Sequence, residues 1–223
     1  MKILGISSAT RYISVGLCEN NILINESTFW GPMTSVENLI TQIDLVTDKK
    51  NIDFDAVAVA SGPGGYNGLR GSITTAKTIA KVLGKKLIEV STLEGVAYNL
   101  RAVRGIILAI TDARLNEHNV ALFSANGNTI QRLSDDLLMT TDKIEELLKK
   151  ISGQIYVASY DKETGERLTL MKNESCTIVD PALAIPTGGN IALLGQTKIG
   201  VKNIYSVKPR YSVEPNIREF KQQ

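Results

Sequence analysis

Residues 55–83 read DAVAVASGPGGYNGLRGSITTAKTIAKVL, and the rest of the chain is organised around them. Ala56-Val57-Ala58-Val59-Ala60 is short, small and apolar, which suits a strand covered on both faces. Ser61-Gly62-Pro63-Gly64-Gly65 then interrupts regular structure, because glycine allows positive φ and proline removes a donor. From about Asn67 the pattern turns helical: Leu69, Ile73, Ala76, Ile79, Ala80 and Leu83 recur at helical spacing and share one face. Gly84 is a stop signal. Strand, glycine turn and helix make one unit, whose loop presents backbone N–H groups at the positive end of a helix dipole.

Two uses of that loop follow. It can cradle a phosphate or nucleotide, with Gly62, Gly64, Gly65, Tyr66, Gly68 and Arg70 as the candidate residues. It can equally be a tight turn that lets the helix press on the sheet and leaves its outer face for a partner. The phosphate fingerprints do not fit. Walker A needs Lys and then Ser or Thr after its last glycine, and here Leu69-Arg70 follow Gly68; the dinucleotide pattern needs glycine where Asn67 stands. Arg70 lies early in the helix, where a cation opposes the dipole at a cost of up to ~1 kcal/mol. A carboxylate or a phosphate partner would each account for it, and Tyr66 at the loop tip is a second contact residue.

Composition sets bounds. The 223 residues suffice for one large domain or two small ones. Hydrophobic content of 43% and charged content of 22% are ordinary for a globular chain, and a net charge of +2 implies no strong overall field for nucleic acid or anionic membrane. Lys49-Lys50 and Lys85-Lys86 read as isolated solvated pairs. Cys18 and Cys176 are far apart with no CxxC, which argues against a disulfide framework or a cysteine zinc site. No stretch approaches a membrane span, and the start of the chain enters a strand with no cleavage pattern, so a cytoplasmic location is expected.

The remaining elements repeat one order. Residues 2–6, 12–18 and 22–29 read as three strands, separated by Ser7-Ser8-Ala9-Thr10 and by Glu19-Asn20-Asn21. Thr34-x-x-Glu37 is a capping box before a helix whose apolar face is Val36, Leu39, Ile40, Ile43 and Val46. After the central unit, residues 86–90 form a fifth strand and Ser91 with Glu94 caps a helix through Leu100. The second half offers strands at 105–111, 119–124 and 129–133, with Asn126-Gly127-Asn128 as a hairpin turn. Asp142-x-x-Glu145 caps a helix with Ile144, Leu147 and Leu148 inward, and residues 154–159 are the next strand. Thus β-β-β-α-β occurs twice, about one hundred residues apart. The fold class is α/β: two related lobes, each a mixed sheet with helices, at 1–104 and at 105–223, the second less complete. Residues 161–177 resist assignment, a short helix follows Thr187-Gly188-Gly189-Asn190, and the tail from Pro209 is expected to lie on the surface or fray.

The decapeptide Ser61-Gly62-Pro63-Gly64-Gly65-Tyr66-Asn67-Gly68-Leu69-Arg70 resembles the GPGSFTGLR signature of the bacterial TsaB (YeaZ) family. Ile3-Leu4-Gly5-Ile6-Ser7-Ser8, Ser91-Thr92-Leu93-Glu94, Thr111-Asp112-Ala113-Arg114 and Pro209-Arg210-Tyr211 extend the resemblance over nearly the whole chain. It implies an actin-like fold of the ASKHA superfamily, ribonuclease H-like in each lobe. It also implies a place in the machinery that makes N6-threonylcarbamoyladenosine in tRNAs reading ANN codons. There a TsaD subunit transfers the group, a TsaE ATPase joins, and ATP and Mg²⁺ are used by the complex.

Against that background the candidate chemistry is sparse. Most of the family carries Asp where Ser7 stands, and a neutral hydroxyl supplies no charge to Mg²⁺. The catalytic relative's paired histidines have no counterpart, since His118 is the single histidine, expected exposed beside Glu117 and Asn119, and Ser35 stands where many members have histidine. There is no Gly-x-Ser-x-Gly elbow. Asp112 ends the first strand of the second lobe, near the expected cleft; it either binds a ligand or pairs with Arg114 or a turn. No catalytic residue and no metal ligand are assigned.

The outward positions of the two first-lobe helices, Thr41, Leu45, Ser72, Thr75 and Thr78, are small, neutral or apolar, which favours helix-to-helix docking. The resemblance implies that TsaD docks there; a homodimer could use the same surface. The function expected is a non-catalytic scaffold with no intrinsic cofactor, reaching tRNA through the complex. An ATP-dependent small-molecule kinase of the same superfamily is the alternative.

Overall fold

A computed structural model describes residues 1–31, 38–47, 53–113, 116–161, 164, 167–168, 176–198 and 203–212. Two sheets dominate. The first has strands β1 (Lys2–Ser7), β2 (Tyr12–Glu19), β3 (Ile22–Trp30), β4 (Ala56–Ala60) and β5 (Lys86–Val90) in the order β3-β2-β1-β4-β5. The second has β6 (Arg104–Asp112), β7 (Glu117–Asn126), β8 (Ile130–Arg132), β10 (Ile155–Ser159) and β11 (Cys176–Ile178) in the order β11-β10-β6-β7-β8, with β9 (Leu137–Thr140) also on β7. Both sheets therefore place a three-strand antiparallel meander beside two parallel strands. The repeat read from hydrophobic runs is a repeat of topology. β11 is the counterpart of β5 and β9 is an addition, both too short to declare themselves by alternation.

The alternation within β4 decides what covers each face of the first sheet. Val57 and Val59 point into a core with α1 (Leu39–Thr47) and α2 (Tyr66–Val82), formed with Leu39, Ile43, Ile73, Ala76 and Ala80. Ala56, Ala58 and Ala60 point the other way, towards α5 (Gly188–Gln196) and its Ile191, Ala192 and Leu194. Alanine there lets the helix come close. A Cβ on Gly5 would stand 2.0 Å from the Gly188 carbonyl oxygen, and one on Gly16 would stand 2.3 Å from the Gly189 nitrogen. Thr187 caps α5 by accepting from the Asn190 N–H at 3.2 Å, and Ser14 Oγ accepts from the Gly188 N–H at 2.7 Å. In return, α3 (Thr92–Tyr98) packs Leu93, Val96 and Ala97 against Ile107, Ala121 and Phe123 of the second sheet. The opposite face of that sheet is covered by α4 (Thr141–Lys150), through Ile144 and Leu148 with Leu147 partly buried.

Several expectations need correction. Residues 188–196 and 203–212, assigned to the second lobe, pack on the first sheet: α5 seats its glycines and alanine on the small-residue face, Val207 joins the opposite core, and Tyr211 packs on the first of these. The α4 N-cap is Thr140 with no side-chain cap bond; Asp142 and Glu145 instead face Arg167. Ile40 is 53% exposed rather than inward, since Leu39, Ile43 and Val46 already fill the stripe. The capping box at Thr34 and Glu37, with Val36 and Ser35, lies outside the described residues. α2 ends as expected: Gly84 takes φ +63°, while the Lys85 N–H reaches the Ala80 carbonyl at 2.8 Å and the Gly84 N–H reaches Lys81 at 3.4 Å.

Candidate functional site

The glycine loop is held from three sides. The Gly65 N–H donates to the Ala9 carbonyl at 2.7 Å, and Ser8 Oγ donates to the Gly68 carbonyl at 2.7 Å. A Cβ on Gly64 would lie 2.3 Å from the Ala9 carbonyl oxygen, and one on Gly68 would lie 1.9 Å from that of Ser8. The glycines at 64 and 68 thus exist to let the loop and the first turn of α2 press on the β1–β2 turn. The Gly62–Pro63 peptide is cis, and the Gly62 carbonyl accepts from the Thr92 N–H at 2.8 Å. From the third side, the Arg210 N–H donates to the Ser61 carbonyl at 2.8 Å. The tail from Pro209, expected on the surface or fraying, is described only to Ser212: Arg210 and Ser212 are exposed while Tyr211 packs on the second core, and the rest lies outside the described residues.

The side of this loop that faces the β1–β2 turn leaves no room for a phosphate. Backbone of the β1–β2 turn occupies the space beside Gly64 and Gly68, and the hydroxyl of Ser7 is sealed in the core with no hydrogen-bond partner among the described residues. Arg70 has found neither a carboxylate among the described residues nor a buried place. Its guanidinium lies 5.0 Å from the centre of the Tyr66 ring and donates to the Tyr66 hydroxyl. Tyr66 in turn stacks on Tyr211 at 5.2 Å, tilted by 30°. Tyr211 stands in a family motif, but nothing in its neighbouring residues says that it returns to this loop.

Of the five expected docking positions, Thr41 and Leu45 on α1 are exposed, Leu45 by 62%, and Thr75 and Thr78 on α2 are half-buried and exposed. Ser72 is not outward. It is fully buried between Leu69 and Ile73, and its hydroxyl donates back to the Gly68 carbonyl at 3.1 Å and the Leu69 carbonyl at 3.3 Å. Small size and self-satisfaction let a serine sit in a core stripe.

At the matching end of the second sheet stands Asp112, opposite His118 across the β6–β7 pair. Asp112 accepts from the Tyr160 hydroxyl at 2.8 Å; Arg114 lies outside the described residues. Burial holds the Asp112 carboxyl above its usual range; Tyr160 pulls it down, Asp161 pushes it up, and His118 and Arg11 pull it down again. His118 is buried, not exposed, because β9 covers it; its Nε2 meets Thr141 Oγ1 at 3.1 Å, Nδ1 has no partner among the described residues, and burial lowers its pKa. Tyr160 also meets Tyr12 of the first lobe edge-to-face at 6.2 Å. Asp112, His118, Thr141, Asp161, Thr164 and Arg167 line a cleft of about 260 Å³. Among the described residues, no cluster of three or more His, Cys, Asp or Glu could hold a metal ion.

Duplicated 3-2-1-4-5 sheets with exchanged helices define an α/β protein of actin-like, ASKHA architecture. The solved structure of YeaZ from Pseudomonas aeruginosa superposes with a TM-score of 0.76 at 17% identity, covering 94% of this chain and 99% of that one. EutJ, an ethanolamine utilization protein from Carboxydothermus hydrogenoformans, superposes at 0.56 with 13% identity, covering 87% and 90%. The family described as TsaD, tRNA N6-adenosine threonylcarbamoyltransferase, matches residues 33–190. The tRNA threonylcarbamoyladenosine biosynthesis protein TsaB of Bacillus subtilis is 31% identical over 219 residues, 95% of this chain and 93% of that protein. The chain belongs to the TsaB (YeaZ) family.

Proposed function

We propose that this protein acts in the synthesis of N6-threonylcarbamoyladenosine in tRNA as a non-catalytic scaffold. It binds and stabilises a TsaD-class threonylcarbamoyltransferase through the outer faces of α1 and α2. The observation that carries the reading is the full-length match to a protein named for that biosynthesis. Two structural features support the scaffold role. The glycine loop spends its glycines on seating α2 rather than on a phosphate, and Leu45 and Ile40 leave apolar surface on α1. ATP, Mg²⁺ and a TsaE-class ATPase belong to the assembly, and tRNA is reached through it, in the cytoplasm. A second copy of the chain competes for the same surface.

Purified protein given ATP, threonylcarbamoyl-AMP and tRNA leaves the tRNA unmodified until the transferase is added. Leu45→Glu places a charge on the docking surface and weakens capture of the transferase by at least about tenfold, which is ~1.4 kcal/mol. Robust modification by the chain alone would refute the scaffold role. Tight Mg-ATP binding by the isolated chain in calorimetry would favour the kinase alternative.

A further inference from the structure

The fold gathers cations that the sequence keeps apart. Segment 203–212 runs antiparallel beside α2, since Tyr205 lies against Lys81 near the helix C-terminus and Tyr211 against Tyr66 at its N-terminus. Residues 66–86 and 203–212 contain no Asp and no Glu. Arg70, Lys81, Lys208 and Arg210 are exposed, and none of them forms an ion pair among the described residues. The chain as a whole carries only +2, so this face concentrates positive charge that the rest of the molecule offsets. Tyrosine rings are interleaved with it. Lys81 Nζ lies 5.8 Å from the centre of the Tyr205 ring, and Tyr205 is 64% exposed. The Arg70–Tyr66–Tyr211 stack stands at the other end of a helix of 17 residues, ~25 Å away.

We propose that this face of α2 and segment 203–212 is an RNA-binding surface, taking phosphates on its cations and an unstacked base on the exposed Tyr205 ring. The proposal rests on the protein's proposed role in tRNA modification. Cations alone would suit an acidic protein as well. Cations with the exposed Tyr205 ring among them supply what a single-stranded loop needs, a charged track with a flat platform.

The test is fluorescence anisotropy of a labelled anticodon stem-loop RNA with the full chain, alone and with the transferase, over a range of salt. Replacing Lys81, Lys208 and Arg210 together by Gln should weaken binding at least tenfold. It should also flatten the dependence of log K on log salt by about 2, because three phosphates are left without their cations. Tyr205→Ala should weaken binding several-fold and leave the salt slope unchanged. No RNA binding by the wild type, or unchanged affinity and slope in the triple variant, would overturn the proposal. So would displacement of the RNA by polyglutamate with Tyr205→Ala silent, which would mark an acidic protein as the occupant. Capture of the transferase is read in parallel. If it persists while RNA binding fails, only this proposal falls; if it fails while RNA binding persists, only the scaffold reading falls.

Discussion

Each sheet is covered by a helix from the other half of the chain, yet the two helices are seated by different means. On the first sheet α5 rests backbone on backbone, with Gly5 and Gly16 beneath Gly188, Gly189 and Ala192. On the second, α3 rests on side chains, Leu93 and Val96 against Ile107 and Phe123. A pair of packed side chains can rearrange when one member changes; a peptide group cannot move aside without moving its strand. The first lobe is therefore the stiffer of the two. It is also the lobe that carries α1, α2 and the proposed docking and RNA surfaces.

The sharpest way to break this contrast is to alter one side chain in each kind of seat. Gly16→Ala puts a Cβ 2.3 Å from the Gly189 nitrogen. It should cost about 3 kcal/mol or more, or prevent folding, because no rotamer relieves the clash. Leu93→Met, which conserves volume under α3, should cost less than about 1.5 kcal/mol. Urea denaturation of both measures the difference. Equal losses would mean that the seats are mechanically alike.

The next expected effect lies where the two helices touch. Asn190 on α5 donates from Nδ2 to the Gly95 carbonyl at 3.2 Å and to Asn99 Oδ1 at 2.6 Å, and Asn99 reaches the Ile185 carbonyl at 2.8 Å. Asn190→Ala leaves two buried acceptors without their donor and should cost about 2 kcal/mol. If the first lobe is a fixed platform and α3 the compliant partner, hydrogen exchange should rise in α3 before α5. Exchange rising first in α5 would reverse the ranking.

How much of this is legible in the sequence depends on the range of the physics involved. The strand–loop–helix unit and the doubled β-β-β-α-β order are legible, because apolar runs and turn residues act within a few positions. The seating of α5 is not: Gly188-Gly189 reads as a flexible entry to a helix, and only the alanine face of β4 explains why glycine is needed there. Ser72 misleads because its hydroxyl is satisfied by its own helix, so a buried polar residue reads as a surface one on the wheel. His118 misleads because β9, the strand that covers it, is four residues long.

The smallest expected effect separates the ends of the two first strands. β1 ends in Ser7, which does not titrate in the working range, and β6 ends in Asp112, which does. Burial keeps the proton on Asp112 to higher pH than in the unfolded chain, where its value is 3.8. Between those two values the folded state binds more protons, so the stability contributed by this group falls as pH rises. The Tyr160 hydrogen bond opposes the shift, so Tyr160→Phe should carry the loss further up in pH, while Asp112→Asn should remove it. His118 slopes the other way, since its lowered pKa makes stability fall as pH drops; Asp112 raises that pKa, so Asp112→Asn steepens the opposing slope, and Tyr160→Phe, which keeps both charges, is the cleaner comparison. Denaturation midpoints taken at intervals from about pH 4 to pH 7 read the result. A Tyr160→Phe profile parallel to wild type would mean that the hydroxyl does not govern Asp112, and that burial alone sets the second lobe's strand end apart from the first's.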